Sequence, residues 1–264
     1  MTTRRTFLLG SLAAGTITVL PFGAMAAAHA SNTFETDAGT ITIHPVSHAS
    51  FVMETPAGTV YADPVGDPSE YSDFPAPDLV LITHEHGDHY NAETLAAIVG
   101  DDTQLIVNQP VFDMLPDDLK AKASPIAQGA STEAAGIPIE TIPSYNITEG
   151  REMFHPRERG DVGYILTIGG KRIYISGDTE ATDEMRALEN IDLAFVCMNL
   201  PFTMTAEQAA AGVADFKPGV VYPYHYRGRD GGTQDPEEFA RLVAENADGV
   251  EVKMGNWYEG GLPQ

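Results

Sequence analysis

The stretch Thr83-His84-Glu85-His86-Gly87-Asp88-His89 sets both the fold and the chemistry that this sequence can support. Three histidines and two carboxylates fall within six residues, directly after the apolar run of residues 79–83. Such a run is typical of a strand buried on both faces, so the cluster begins where that strand ends. Imidazole and carboxylate together suit zinc, manganese or iron, and the lack of a nearby thiolate argues against a structural cysteine-type zinc site. His84 and His86 can bind one ion while Asp88 and His89 reach a second.

The segments around this cluster predict alternating strands and helices. Short β-branched runs predict early strands over residues 40–46, 50–54, 59–63 and 79–83. Helical patterns follow over residues 92–99 and 111–123. Residues 163–176 predict a hairpin around Gly169-Gly170, because glycine supplies the positive φ angles of a two-residue turn. Strands that are paired early and alternate with helices later indicate sheets packed face to face with helices outside.

The histidine cluster resembles the His-x-His-x-Asp-His signature of the metallo-β-lactamase superfamily, and two later motifs follow in that family's order. Gly177-Asp178-Thr179 resembles the turn whose aspartate bridges two metals. Pro223-Tyr224-His225 resembles the strand end whose histidine completes the second metal site. Within the superfamily the chain is most similar to small zinc-dependent hydrolases such as the ascorbate-phosphate lactonases. The resemblance covers essentially all of residues 31–264 and implies an α/β fold, the αββα four-layer sandwich with two mixed sheets.

One position departs from the family pattern. The third histidine of the first metal site usually follows the strand predicted at residues 139–143, where this sequence has Ser144-Tyr145-Asn146. His155 is the remaining histidine between the two firm motifs and is assigned as that ligand. It lies in residues 144–161, a long polar segment expected to be a surface lid. The alternatives are Asn146 as a weak ligand, or a first site without a third ligand and with His155 on the lid.

The resemblance implies a site that holds two divalent ions, zinc first and manganese or iron as alternatives. The implied ligands are His84, His86, Asp88, His89, His155, Asp178 and His225. Two such ions lower the pKa of a bridging water toward neutrality, and the resulting hydroxide attacks a carbonyl or phosphoryl centre. Asp88 would orient this nucleophile and Asp178 would bridge the metals, which makes them the catalytic candidates.

Further polar residues are candidates for supporting roles. His48 or Tyr145 could protonate the leaving group, although His48 could equally hydrogen-bond the site from below. Asp63 either orients a ligand imidazole from the second shell or caps an ordinary turn.

Arginines are enriched beside the predicted ligands, at positions 151, 157, 159, 227 and 229. Guanidinium groups bind phosphate or carboxylate through paired N–H donors, so an anionic substrate is one explanation. Pairing with neighbouring acids such as Glu158 or Asp230 is the other. Arg157 and Arg227 are the candidates for substrate contact.

The composition disfavours two classes of partner, nucleic acid and anionic membranes, and we expect a small-molecule substrate. The chain has 38 acidic against 15 basic residues and a formal net charge of −23, which disfavours nucleic acid and anionic membranes. A hydrophobic share of 43% with 20% charged residues is that of a folded globular protein. Cys197 is the single cysteine, so no intramolecular disulfide forms, and its apolar neighbours predict a buried side chain.

Residues 1–30 have the pattern of a secretory signal peptide. Arg4 and Arg5 precede an apolar stretch over residues 7–22, and small-residue cleavage sites follow. The paired arginines resemble the twin-arginine signal, which exports proteins already folded. An ordinary secretory signal and a retained anchor are the alternatives. We therefore predict a signal peptide at 1–30, a single hydrolase domain at 31–264 and a periplasmic location without stable membrane association.

The sequence thus favours an exported metal-dependent hydrolase acting on a small ester-type substrate, a lactone or a phosphoester. A true β-lactamase is one alternative, but known periplasmic lactamases place Cys, Ser or His where this chain has Asp178. Di-iron oxidoreductase relatives carry Glu at the position of His86. A degenerate metal-binding protein of the same fold is the non-enzymatic alternative.

Overall fold

The strands form two seven-stranded sheets of the same plan. A computed structural model describes residues 32–258. The strands are β1 (Asn32–Thr36), β2 (Gly39–Ser47), β3 (Ser50–Thr55), β4 (Gly58–Ala62), β5 (Leu79–Ile82), β6 (Gln104–Val107), β7 (Ala123–Pro125), β8 (Ser131–Ala134), β9 (Ile137–Pro143), β10 (Val162–Ile168), β11 (Lys171–Ile175), β12 (Leu193–Cys197), β13 (Val220–Tyr224) and β14 (Glu251–Val252). The helices are α1 (Ala92–Ile98), α2 (Gln109–Met114), α3 (Asp117–Lys120), α4 (Asp183–Arg186), α5 (Ala206–Phe216) and α6 (Pro236–Asn246). Two 3₁₀ turns cover Pro68–Tyr71 and Arg157–Arg159.

Each sheet begins antiparallel and ends parallel. In the first sheet the strands lie in chain order, with β1 to β4 antiparallel and β4 to β7 parallel. In the second sheet β8 to β11 are antiparallel and β11 to β14 are parallel. The carboxyl ends of neighbouring parallel strands meet at one edge of a sheet, and ligands bind preferentially at such edges. The loops after β5, β11 and β13 are therefore placed to build a site.

The main hydrophobic core lies between the sheets. The rings of Phe51 on β3 and Phe195 on β12 stack with centroids 4.3 Å apart, and both side chains are fully buried. A second core packs α1 to α3 on the outer face of the first sheet, where Leu95, Val111 and Leu119 are buried. Helices α4 to α6 cover the second sheet. The predicted αββα sandwich is confirmed.

Local signals place several element ends correctly. Gly169 and Gly170 have φ of 53° and 73° in the turn between β10 and β11, so the predicted hairpin is confirmed. Thr205 caps α5 by accepting from the Gln208 amide, and the Thr205 amide donates in return to Gln208 Oε1, which completes the capping box.

The prediction of one helix over residues 111–123 is wrong. Helix α2 ends at Met114, and Leu115 has an extended ψ of 139°. Pro116 follows, and proline disfavours the helical conformation in the residue before it. A separate short helix α3 and strand β7 occupy the remainder.

The predicted signal peptide at residues 1–30 lies outside the described residues. Between residues 32 and 258, no helix has the length and apolar character that crossing a membrane requires.

Candidate metal centre

Five loops at one edge of the two sheets supply the polar side chains of the site. The loop after β5 carries the residues 84–89, and the β2–β3 turn carries His48. In the second sheet, Asp178 follows β11, His225 follows β13, and His155 lies in the segment after β9. Because strands end where their apolar runs end, the polar residues that follow are free to turn toward one point.

Backbone hydrogen bonds join the two sheets at this edge. The Val162 amide of the second sheet donates to the Thr83 carbonyl of the first at 3.2 Å. The His225 amide donates to the His48 carbonyl at 3.3 Å. The relative position of the two sheets is therefore set beside the histidines themselves.

A first group brings together His84, His86 and His155. One ring nitrogen of each lies within 4.8 Å of the others. His84 Nε2 and His86 Nδ1 are 3.1 Å apart. Asn146, the alternative to His155, donates from Nδ2 to the Phe202 carbonyl at 2.6 Å, so its side chain braces the segment that holds His155.

A second group surrounds Asp178. The Nε2 atoms of His89 and His225 face each other at 3.0 Å, and Asp178 Oδ1 lies 3.4 Å and 3.2 Å from them. Asp178 Oδ2 is 3.4 Å from His155 Nε2 in the first group. Asp88 Oδ2 reaches His225 Nε2 at 3.5 Å from the cavity side. The carboxylate of Asp178 therefore lies between the two groups.

The arrangement of these donor atoms suits coordination of metal ions better than hydrogen bonding among the side chains. Asp178 Oδ1 is buried and makes no hydrogen bond, although two imidazoles lie beside it. Buried polar atoms are rarely left without a partner, and an orphaned one calls for an explanation such as an ion. Several imidazole nitrogens and one carboxylate directed at common points form the donor set that zinc, manganese and iron accept.

The outward-facing ring nitrogens each meet a polar side chain. His89 Nδ1 lies 2.7 Å from Asp63 Oδ2, and His225 Nδ1 lies 3.0 Å from the Asn199 side-chain amide. His155 Nδ1 lies 3.3 Å from Asp161 Oδ2. His84 Nδ1 lies 3.0 Å from Thr83 Oγ1, which donates to Asp63. Partners of this kind orient ligand imidazoles and set which nitrogen faces a metal.

Burial and neighbouring charges together raise the pKa of some residues of the site and lower the pKa of others. Burial raises the pKa of Asp178, but the imidazoles of His225 and His89 outweigh it and hold that pKa well below its usual value. Burial lowers the pKa of His89, yet two adjacent carboxylates outweigh burial and raise it well above normal. Burial and the Arg159 guanidinium lower the pKa of His86 to about 4. The surroundings of His89 thus favour a cation there, while His86 stays neutral as a ligand must.

Three residues of the site adopt left-handed backbone conformations that non-glycine residues seldom take. His48, Asp63 and His225 have φ of 54°, 43° and 50°. Strain of this type costs on the order of 1–3 kcal/mol and tends to be kept where function requires it. In this protein the left-handed turns direct these side chains toward the site, which a regular strand conformation would not do.

The site opens into a cavity of about 950 Å³. His48, Asp88, Asp178 and His225 line it together with Arg227. His48 joins two of its walls, because its Nε2 lies 3.3 Å from Asp88 Oδ2 and its Nδ1 lies 2.7 Å from the Tyr258 hydroxyl.

Two predicted site residues lie elsewhere. The Tyr145 hydroxyl donates to Glu184 at 2.9 Å and accepts from Arg157 Nη1 at 2.6 Å. Neither Tyr145 nor Arg157 lines the cavity. The 3₁₀ turn at Arg157–Arg159 turns the first arginine away and directs Arg159 inward, where its Nη1 lies 2.8 Å from His86 Nε2.

Three residues of the site were not predicted, Asp161, Asn199 and Tyr258, and Arg159 was singled out only as one of the arginines beside the predicted ligands. Asn199 follows the apolar strand β12, so the rule that polar residues after buried strands meet at one edge would have found it. Asp161 comes just before β10 and lacks such a signal. Tyr258 is more than 30 residues beyond the last motif, and only the fold brings it to His48.

Comparison with known proteins identifies the family of the chain. Residues 42–225 match the family model described as "Beta-lactamase superfamily domain". The chain is 31% identical to a UPF0173 metal-dependent hydrolase from Pyrococcus abyssi, over 71% of this chain and 83% of that protein. The crystal structure of a proposed metal-dependent hydrolase from Parabacteroides distasonis is similar, with a TM-score of 0.75, 36% identity and coverage of 86% of this chain and 99% of the other.

A more distant structure shares the fold alone. Igni18, a metallo hydrolase from Ignicoccus hospitalis, has a TM-score of 0.65 and 23% identity, and the match covers 81% of this chain and 94% of that one. The family match spans most of the described residues and contains every predicted ligand from His84 to His225. The chain therefore belongs to the β-lactamase superfamily, among the metal-dependent hydrolases of the metallo-β-lactamase fold.

Proposed function

We propose that this hydrolase binds two divalent metal ions and cleaves a small ester-type bond, in a lactone or a phosphoester. The observation that carries the proposal is the position of Asp178. Its Oδ2 faces His155 of the first histidine group, and its Oδ1 faces His225 of the second. One carboxylate can therefore serve two ions, as in other two-metal hydrolytic sites.

The ligand assignment follows from the atoms that face inward. We assign the first ion to His84, His86 and His155 and the second to Asp88, His89 and His225, with Asp178 shared. Zinc is the proposed metal, with manganese or iron as alternatives, because imidazole nitrogen predominates among the donors. Bound there, the ions would lower the pKa of a water toward neutrality and would polarise the carbonyl or phosphoryl oxygen of the substrate.

Asp88 is the residue that we propose to orient the attacking water. Burial raises its pKa, but hydrogen bonds from His225 and His48 outweigh burial and lower it, so the carboxylate is an ionised acceptor. Its side chain is 45% exposed toward the cavity, where substrate enters. During hydrolysis the water oxygen bonds to the carbonyl carbon or phosphorus, the ester C–O or P–O bond breaks, and a water proton ends on the departing oxygen. Asp88 can accept that proton and return it.

His48 positions Asp88. Burial, helped by the neighbouring His225, lowers the pKa of His48 to about 4, so its imidazole is neutral at pH 7. A neutral ring can donate from Nε2 to Asp88 while Nδ1 accepts from the Tyr258 hydroxyl. Of the two candidates for the leaving-group proton, His48 lies in the cavity and Tyr145 does not.

The first experiment counts metal ions per chain by elemental analysis of protein purified without a chelating tag. We expect about two divalent ions in the unmodified chain and about one in His155→Ala. A parallel screen offers lactones, phosphoesters and nitrocefin, and we expect turnover of one of the first two classes.

Each other outcome would contradict part of the proposal. One ion or none in the unmodified chain, unchanged by His155→Ala, excludes the two-metal assignment. Nitrocefin as the preferred substrate would indicate a true β-lactamase. Two bound ions without turnover of any compound would favour the non-enzymatic alternative.

We also propose that the protein is exported by the twin-arginine route. The support is the sequence of residues 2–30, with Arg4 and Arg5 ahead of an apolar stretch and small-residue cleavage sites. Cell fractionation should find the unmodified protein in the periplasm and an Arg4→Lys, Arg5→Lys variant in the cytoplasm. Export of both forms would instead indicate the ordinary secretory route.

A further inference from the structure

Two arginines at the mouth of the metal cavity lack acidic partners. Residues 32–258 contain eight arginines, and six of them form ion pairs. Arg227 and Arg229 form none in that part of the chain, although they belong to a protein of net charge −23. Both are exposed and both line the cavity. In so acidic a chain, the presence of two cationic side chains without acidic partners requires an explanation other than ion pairing within the protein.

Aromatic rings hold both guanidinium groups. The Arg227 guanidinium carbon lies 6.0 Å from the centre of the Tyr258 ring, and that of Arg229 lies 5.4 Å from the centre of the Phe202 ring. A guanidinium on an aromatic face keeps its edge N–H donors for another partner. Within residues 32–258, no acceptor takes a hydrogen bond from either side chain. Their donors therefore face solvent at the cavity mouth.

The loop that carries these arginines is tightly held. The Arg229 amide donates to the Leu200 carbonyl at 3.1 Å, and the Gly228 amide donates to Thr233 Oγ1 at 3.1 Å. A Cβ added at Gly228 would collide with the Leu200 carbonyl oxygen and with the backbone of Gly232. Only glycine fits this close approach, so the backbone at both arginines is fixed before any ligand arrives. A preorganised receptor loses less entropy when its ligand binds.

The other arginines near the site are already neutralised. Arg157 pairs with Glu184 at 2.6 Å, and Arg159 pairs with Asp161. Arg151 pairs with Glu180. The sequence left open whether the arginines beside the ligands bind substrate or pair with acids. Ion pairing with acids explains the positions of these three arginines, and it does not explain those of Arg227 and Arg229.

We propose that Arg227 and Arg229 form an anion-binding site, and that the substrate carries a carboxylate or phosphate group apart from the bond that is cleaved. The inference rests on the proposed hydrolytic function, because it names the substrate class of the same site. His225, a proposed ligand, lines the same cavity of about 950 Å³ as Arg227 and Arg229, so one small molecule can contact all three. The negative field of the whole chain repels anions, and a local cationic pair overcomes that repulsion where substrate binds.

The test compares three γ-butyrolactones that differ only at ring carbon 5. One carries a carboxylate, one the neutral carboxamide and one a phosphonooxymethyl group. With zinc-loaded protein, we expect kcat/KM for the preferred anionic lactone to exceed that for the carboxamide by about 10- to 100-fold, the range for hydrogen bonds to a charged group. Whichever anion is preferred identifies the group that the arginines bind.

Variants separate the arginines from the metals. Arg227→Ala with Arg229→Ala should abolish this preference, so that the anionic lactones and the carboxamide have similar kcat/KM, and should leave the zinc content unchanged. The lysine pair at both positions should restore part of it, since lysine keeps the charge and loses the paired donors. Arg186→Ala with Arg241→Ala, which also removes two positive charges but outside the cavity, is the matched control and should retain the full preference. Hydrolysis of all three lactones at equal kcat/KM, or a preference that survives the double variant, would overturn the proposal.

Direct binding distinguishes failure of this inference from failure of the proposed function. Isothermal titration with the same lactones should show tighter binding of the anionic compound by the unmodified protein and not by the double variant. If none of the lactones is hydrolysed yet this difference in binding persists, the anion site stands and the proposed lactone chemistry does not. If the lactones bind equally to both proteins, the anion site is excluded.

Discussion

The two halves of the metal centre are built in different ways. The amino-terminal half, with His84, His86, Asp88 and His89, comes from one loop of six residues after β5. The carboxyl-terminal half comes from three separate loops of the second sheet, which carry His155, Asp178 and His225. The first half is therefore positioned by local chain geometry and the second by the packing of an entire sheet.

The supports behind the two halves differ in the same way. In the first half Asp63 accepts from the Thr83 amide and hydroxyl, both at 2.8 Å, and its Oδ2 contacts His89. Thr83 in turn contacts His84, so one carboxylate supports two histidines. In the second half Asp161 contacts His155, and Asn199 contacts His225. Each of those partners supports a single histidine.

The largest expected effect belongs to Asp178, because it touches both halves. Asp178→Asn keeps the shape and removes the charge that the surrounding imidazoles stabilise. We expect kcat/KM to fall by more than the roughly 10- to 100-fold typical of losing an outer partner, and bound metal to fall with it. Elemental analysis and steady-state kinetics measure both, with Asp215→Asn on the surface as control. Full metal content and activity in Asp178→Asn would show that the halves bind ions independently.

The second prediction compares the supports of the two halves. Asp63→Asn should weaken zinc affinity by about 10- to 100-fold, because two histidines lose their orientation. Asp161→Asn should weaken it less, since Asp161 contacts one histidine, His155, directly. Competition with a chelator measures both affinities under the same conditions. Equal losses, or a larger loss in Asp161→Asn, would refute the difference in construction.

Gly177 tests the contact between the halves. It has a φ of +60°, and an added Cβ would lie 3.0 Å from Thr83 Cβ and 3.1 Å from the Val162 carbonyl oxygen. Gly136 has a similar φ of +72° with nothing within 4 Å of an added Cβ, so it is the matched control. We expect Gly136→Ala to lower the free energy of unfolding by about 1–2 kcal/mol through backbone strain alone.

Gly177→Ala should lose about 1–3 kcal/mol more than this control, because the added methyl presses on Thr83. Denaturant unfolding measures both variants. Equal losses would mean that the two halves can separate slightly without cost.

The smallest expected effect is at Tyr145, which lies in neither half. Tyr145→Phe removes the hydroxyl that bonds Glu184 and Arg157 away from the cavity. We expect kcat/KM to stay within about 2-fold and stability to change by less than about 1 kcal/mol. Activity assays and thermal melting measure the two quantities. A large loss of kcat with unchanged stability would return Tyr145 to the catalytic site.

Sequence alone determined the features that depend on short-range chemistry. Histidine spacing after an apolar strand, the Gly169-Gly170 turn and the Thr205 cap follow from residues a few positions apart, where chain geometry leaves few alternatives. The family resemblance extended this to the sandwich fold. The prediction of one helix over residues 111–123 failed because it relied on the helical propensity of each residue. Pro116 disfavours the helical conformation of the residue before it, so helix α2 ends there.

Only the tertiary structure decided which distant side chains meet. It joined His155 to His84, turned Arg159 toward the site and Arg157 away, and brought Tyr258 to His48. It also showed that Arg227 and Arg229 have no acidic partner within the described chain. These contacts depend on the register and packing of two sheets, which arise from the whole core, and spacing along the chain carries no information about them.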